Sequence, residues 1–218
     1  MLMKLVLAYV ILFYSSAIAS GQDDYYVVPD YKGTAESFFS LGDSLIRSEA
    51  GSFSFAGSIL GLNRLNELQQ LEIVSLTDHT IALELDDIKV SIARSRFFPS
   101  SHDIEYWGHM RHVLRIDGRY FWGFDGRMPK QRIVYIEVLW GDERIRLPAS
   151  AFRDIFEPNF CSRPSLFGRR VCHTRVFISD DGERLYIYMR NSEMPSLYEV
   201  TWILINGRYI GRIVDYAY

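Results

Sequence analysis

The amino-acid sequence predicts a mainly β protein, folded as an antiparallel β-sandwich or a barrel-like sheet of about ten short strands. Apolar and polar residues alternate with period two over most of the chain after residue 80. Turn dipeptides of the Asp-Gly and Asn-Gly type separate these runs about every eight to twelve residues. Apolar residues make up 48% of the chain, which excludes a disordered protein. One or two helices are expected near the N-terminus, and a short one near residues 149–156.

Residues 1–21 are predicted to be a secretory signal peptide. Lys4 precedes an uncharged apolar run from Leu5 to Tyr14, and small residues then lead to Gly21. This run is shorter than the roughly twenty residues that span a bilayer, so cleavage after Ala19 or Gly21 is favoured over a retained anchor. We therefore expect residues 22–218 to form a single β-rich domain that is periplasmic or secreted, with no stable membrane insertion after cleavage.

Helical spacing of apolar residues occurs in three places. A first helix is expected over about residues 34–47, capped by Thr34 and ending before Gly51. A second is expected over 58–70, where leucines recur at positions 62, 65 and 68. The third, at 149–156, follows Pro148 and is stopped by Pro158.

The remaining elements are predicted to be strands. Residues 81–85 and 90–92 alternate on either side of an Asp86-Asp87 turn. One strand face carries Val134, Ile136, Val138 and Trp140, and a Gly141-Asp142 turn follows it. The C-terminal part contains four β-rich runs, joined in part by Asp181-Gly182 and Asn206-Gly207: 171–179, 185–190, 198–205 and 208–215.

The two cysteines, Cys161 and Cys172, are predicted to form one disulfide, because an exported protein meets an oxidising compartment. Closing so short a loop stabilises a fold by about 3 kcal/mol in the chain-entropy model. Two free buried thiols are the alternative.

The loop between these cysteines is the best single candidate for an interaction site. It carries Arg163, Phe167, Arg169 and Arg170, and arginine and aromatic side chains commonly anchor protein interfaces. A loop closed by a disulfide also loses less entropy on binding than a free one. The alternative is a solvated loop whose arginines form weak surface ion pairs.

A second candidate is the aromatic stretch that contains Trp107, Tyr120 and Trp122. Flat rings on a strand face can stack on sugars, which predicts a carbohydrate platform. Packing of the same rings in the core is the alternative, since aromatic residues are favoured in strands.

Three histidines, His102, His109 and His112, suggest a zinc site of the kind that hydrolases use. Their spacing matches no established zinc motif, so the favoured interpretation is that they are exposed histidines beside a hairpin. No metal or cofactor is therefore expected. The sequence also lacks the nucleophile-elbow, P-loop and dinucleotide-binding motifs.

These observations favour a non-catalytic binding protein of the bacterial envelope, one that neutralises or inhibits another protein. A carbohydrate-binding β-sandwich is the first alternative and a zinc-dependent hydrolase the second. The net charge of −3 argues against a nucleic-acid partner, which requires a clustered basic field.

Overall fold

The computed structural model describes residues 36–62, 68–109, 112–123, 126–162, 170–191 and 197–217. The predicted signal peptide and the loop residues Arg163, Phe167 and Arg169 lie outside these ranges. The described chain is mainly β and antiparallel, which confirms the predicted fold class. None of its helices has the length and apolar character needed to cross a membrane.

Two five-stranded antiparallel sheets contain ten of the fourteen strands found in the described ranges. The strands are β1 (Leu68–Gln70), β2 (Glu72–Leu76), β3 (Thr80–Leu85), β4 (Ile88–Arg96), β5 (Ile104–Trp107), β6 (His112–Ile116), β7 (Gln131–Trp140), β8 (Glu143–Arg146), β9 (Cys161–Ser162), β10 (Val171–Cys172), β11 (Thr174–Ser179), β12 (Arg184–Asn191), β13 (Tyr198–Ile205) and β14 (Arg208–Tyr216). Sheet A has the order β1-β11-β12-β13-β14 and sheet B the order β2-β3-β4-β7-β8. The pairs β5-β6 and β9-β10 form two small separate ladders.

The two sheets pack face to face as a sandwich. Ile92 and Ile136 of sheet B share one fully buried apolar cluster with Ile187 and Trp202 of sheet A. The described strands do not close into a barrel, so the sandwich is the correct one of the two predicted architectures.

The predicted hairpin turns are present. Asp86 and Asn206, each the first residue of a predicted turn, have φ angles of 50° and 46°, and the turn glycines Gly182 and Gly207 are also in the left-handed region. Asparagine, aspartate and glycine tolerate this conformation better than other residues, which explains why these dipeptides connect the strands.

One predicted strand face is wrong in part. Val134 was predicted to share a face with Ile136 and Val138. Those two are buried, whereas the Val134 side chain is 45% exposed and Ile133 is buried in its place. The pairing of β4 with β7 shifts between Ala93 and Arg94, and this irregularity moves the alternation by one residue.

The first helix differs from the predicted span of 34–47. A short 3-10 turn covers Phe38–Ser40, and helix α1 runs from Ser44 to Phe53. Asp43 caps α1 by accepting hydrogen bonds from the backbone N–H groups of Leu45 and Ile46, so the helix begins later than the apolar spacing indicates.

The other two predicted helices are also corrected. Residues 63–67 of the helix predicted over 58–70 lie outside the described ranges. On either side of them, helix α2 covers Phe55–Ile59, and Leu68–Gln70 pairs with β11 as a strand. The predicted helix at 149–156 is a 3-10 turn at Ala149–Ala151, after which Ile155 forms a bridge with Trp122. In both places pairing with a residue distant in sequence overrides the local pattern.

The N-terminal helices cover the outer face of sheet A, where the ring of Phe53 stacks on Phe177 with centroids 4.5 Å apart. Sheet A is therefore buried on both faces, and binding surfaces are to be sought on sheet B and at the ends of the sandwich.

Candidate functional site

A groove lined by cationic side chains lies at one end of the sandwich. The β2-β3 turn, the end of β4, the start of β7 and the β9-β10 ladder all contribute to it. It consists of two cavities, of about 470 and about 220 Å³, which share Arg94 as a lining residue. We call it the basic groove and define it by its five basic residues: His79, Arg94, Arg96, Lys130 and Arg170.

Arg94 is fixed at the junction of the two cavities. Its Nε donates to the carbonyl of Asp78 at 2.8 Å, and one terminal nitrogen donates to the carbonyl of Pro158 at 2.7 Å. The guanidinium also lies 4.8 Å from the centroid of the buried Phe160 ring. These contacts hold a permanent positive charge at the centre of the groove.

Three other cations extend the charge along both cavities. Arg96, Lys130 and Arg170 are exposed, and none of them forms an ion pair with a carboxylate in the described part of the chain. The Arg96 guanidinium lies 5.6 Å from the ring centroid of Phe98, which is 57% exposed. Their charges are therefore available to a ligand.

Two acidic residues also reach this surface. Asp78 lines the smaller cavity. The carboxylate of Glu157 accepts hydrogen bonds from the backbone N–H groups of Lys130 and Gln131. The cations still outnumber the carboxylates, so the groove is suited to an anionic group.

The disulfide predicted between Cys161 and Cys172 is present, and Cys161 lines the smaller cavity. The two cysteines lie opposite each other in the β9-β10 ladder. Beside them, the Ser162 hydroxyl and His173 Nε2 form a hydrogen bond of 2.8 Å. The disulfide thus fixes both ends of the predicted interaction loop, and Arg170 at one end lines the groove.

The aromatic candidates do not form a common platform. Trp122 is 6% exposed and its ring packs 5.0 Å from that of Tyr216, so it belongs to the core. The Tyr120 hydroxyl accepts a hydrogen bond from Arg115 at 3.0 Å. Trp107 is 41% exposed at the end of β5 and keeps a ring accessible to solvent.

The histidines are also dispersed. His102 Nδ1 lies 2.7 Å from the carboxylate of Asp117. Burial raises the pKa of Asp117, but its hydrogen bonds to His102 and to the backbone of Asp103 outweigh burial and hold that pKa below the ordinary value. His109 and His112 are exposed. Within the described ranges, no group of three or more potential ligands is placed to hold a metal ion.

Sequence reasoning identified Arg170 but missed the other four members of the basic groove. They lie on segments that are distant in sequence and meet only through the pairing of β4 with β7 and the position of the β2-β3 turn. The Arg94-Ser95-Arg96 tripeptide, which lies beyond the strand predicted to end at Ile92, is the one local signal, since alternate residues share a strand face when the strand continues to Arg96.

No protein-family model, curated protein or solved structure matches this chain.

Proposed function

We propose that this chain is an exported binding protein of the bacterial envelope that captures an acidic segment of another protein in the basic groove. The observation that carries this proposal is a set of three exposed cations that line the groove on both sides of Arg94: Arg96, Lys130 and Arg170. None of these three forms an ion pair with a carboxylate of the described chain.

The surface around these cations favours a protein partner. Arg96 lies over the exposed ring of Phe98, and the wall of the smaller cavity includes Leu76 and Phe160. Protein interfaces are enriched in arginine and aromatic residues, and they combine apolar area with a few charged contacts. Guanidinium groups also bind carboxylates through two parallel hydrogen bonds, which makes aspartate and glutamate suitable contacts.

The disulfide supports the same proposal. It closes the arginine-containing loop at its base, so the loop has less conformational freedom to lose when a partner binds. Occupation of a partner's acidic surface by this groove and loop would block that surface, which is how the protein would neutralise its partner.

The test measures binding of fluorescently labelled poly-L-glutamate at several salt concentrations. The variant carries Arg96→Gln, Arg170→Gln and Lys130→Gln. We expect saturable binding by the wild-type protein, a loss of affinity of about tenfold or more in the variant, and a weaker dependence of affinity on salt.

A control with the same charge change carries Arg144→Gln, Arg208→Gln and Lys89→Gln, which remove two arginines and one lysine outside the groove. Its affinity should stay within about twofold of the wild type. Equal losses in both variants would reject the groove as the site. Tighter binding of dextran sulfate than of poly-L-glutamate would reject a protein partner in favour of an anionic glycan.

A second candidate function is carbohydrate binding at the β5 strand, favoured by the exposure of Tyr106 (50%) and Trp107 (41%). Exposed aromatic faces can stack on sugar rings. A glycan array should then show binding that Trp107→Ala abolishes and the groove variant retains. Absence of binding to every glycan on the array would remove this candidate.

A further inference from the structure

A separate pocket of about 190 Å³ lies between the end of the β5-β6 hairpin and residues 153–156. It shares no lining residue with the basic groove. We call it the hairpin pocket, and it is lined by residues 116, 117, 119–121, 153, 154 and 156.

The walls of the hairpin pocket are held together by backbone contacts. The N–H of Trp122 donates to the carbonyl of Asp154, and the N–H of Phe156 donates to the carbonyl of Trp122, each at 2.8 Å. Gly123 has a φ of 127°, and a Cβ at this position would lie 2.4 Å from the carbonyl oxygen of Phe156. Glycine therefore permits the close approach that joins the two walls, and the pocket is formed before any ligand binds.

Aromatic residues supply part of the lining. The rings of Phe121 and Phe156 are in edge-to-face contact with centroids 5.5 Å apart. Tyr120 is held in place by Arg115, whose guanidinium lies 4.6 Å from its ring centroid and donates to its hydroxyl. Phe156 is only 3% exposed and supports Phe121 from behind, so the accessible apolar surface of the pocket comes from the partly exposed Tyr120 and Phe121.

The acidic groups at this pocket are already engaged. Asp117 contacts His102 and accepts a hydrogen bond from the backbone N–H of Asp103. The carboxylate of Asp154 accepts two hydrogen bonds of 2.6 Å from the guanidinium of Arg212.

Unlike these two carboxylates, the cations at the pocket form no ion pair with a side chain of the described residues. They are Arg119 and Arg153, and both are exposed. The pocket thus offers apolar walls together with two guanidinium groups whose donors are available.

We propose that the hairpin pocket binds a small organic anion, with a flat apolar body against the partly exposed ring of Phe121 and a carboxylate or phosphate group held by Arg119 and Arg153. Guanidinium groups match the geometry of both oxyanions. The site is independent of the basic groove, so the proposal does not depend on the protein partner.

The test is an NMR titration of the ¹⁵N-labelled protein with benzoate and with phenyl phosphate. We expect saturable shifts of the backbone amides of residues 116–123 and 153–156 with at least one of the two anions, and the tighter of them identifies the preferred oxyanion. Arg119→Gln combined with Arg153→Gln should weaken binding by about tenfold or more, because the ligand loses its charged donors.

Matched controls separate this site from general charge effects. Arg144→Gln combined with Arg208→Gln removes two arginines elsewhere and should leave binding unchanged. The absence of saturable shifts with either anion in the wild type would overturn the proposal. Equal binding by benzyl alcohol would overturn the role of the arginines, and equal binding by inorganic phosphate would overturn the role of the apolar walls.

Discussion

At the level of single residues, buried carboxylates join the N-terminal helices to sheet A. Glu49 of α1 accepts two hydrogen bonds of 2.9 Å from Arg184 and a third from the hydroxyl of Tyr186. The carboxylate of Glu199 in β13 accepts hydrogen bonds from the backbone N–H groups of Phe55 and Ala56 at the start of α2. Both carboxylates are almost fully buried, so each depends on its partners for compensation of lost hydration.

Glu49→Ala should destabilise the protein by about 3–5 kcal/mol, because it leaves the largely buried guanidinium of Arg184 and the Tyr186 hydroxyl without their main acceptor. Urea unfolding monitored by circular dichroism measures this change. Glu183→Ala is the control, since Glu183 is 57% exposed and lies 3.8 Å from Arg184, and it should cost less than about 1 kcal/mol. Similar losses of unfolding free energy in the two variants would contradict the importance of the buried contact.

Asp181 is predicted to titrate at unusually low pH. The Ser179 hydroxyl and the backbone N–H of Glu183 donate to its carboxylate, and together with Arg184 they lower its pKa to about 2. Because the folded pKa is below the ordinary value of 3.8, this contribution to stability is present above pH 4 and is lost as the pH falls toward 2. A ¹³C NMR titration of the Asp181 carboxyl group should give a midpoint near 2, and a midpoint near 3.8 would refute the assignment.

Glu199 contributes to the pH dependence of stability with the opposite sign to Asp181. Burial raises its pKa above the ordinary value of 4.5, despite the hydrogen bonds from Ala56, Phe55 and Tyr188. A raised carboxyl pKa favours the folded state below the unfolded pKa, and this advantage is lost as the pH rises through the folded pKa. The contributions of Asp181 and Glu199 to the pH dependence of stability therefore occur in different pH ranges.

At the level of elements, local sequence predicted the hairpins better than the helices. Asp-Gly and Asn-Gly turns fix both the position of a hairpin and the pairing of the strands that flank it, so β13 and β14 were placed nearly to the residue. The segment 58–70 has helical leucine spacing, yet Leu68 pairs with Ser179 of β11. A pairing partner more than one hundred residues away leaves no trace in a local pattern.

The crossing of α1 and α2 also depends on a contact that the sequence does not reveal. Gly57 of α2 packs on Gly51 of α1 so closely that a Cβ on Gly57 would lie 2.0 Å from the carbonyl oxygen of Gly51. The apolar spacing predicts that Gly51 lies beyond a helix end, whereas Gly51 lies inside α1 and admits the second helix.

Gly57→Ala should therefore destabilise the protein by about 1–3 kcal/mol through overpacking of the two helices. Gly42→Ala is a matched control, because a Cβ at Gly42 meets no atom within 4 Å and its φ is not in the left-handed region. Differential scanning calorimetry of both variants measures the effect. A melting temperature of Gly57→Ala equal to that of Gly42→Ala would contradict this close packing.

At the level of the whole molecule, the distribution of charge is more informative than its sum. The chain has a net charge of −3, from which no basic site would be expected. The fold nevertheless places residues 79, 94, 96, 130 and 170 around one groove. Composition and local motifs could not predict this arrangement, because it depends on which strands pair and in what register.

Amide hydrogen exchange with and without poly-L-glutamate tests this binding surface most directly. We expect slower exchange in the β2-β3 turn and around residues 94–97, 130–131 and 170–173, with no change on β8 at the far edge of sheet B. Unchanged exchange in the groove at saturating poly-L-glutamate, or protection confined to β8, would contradict the account.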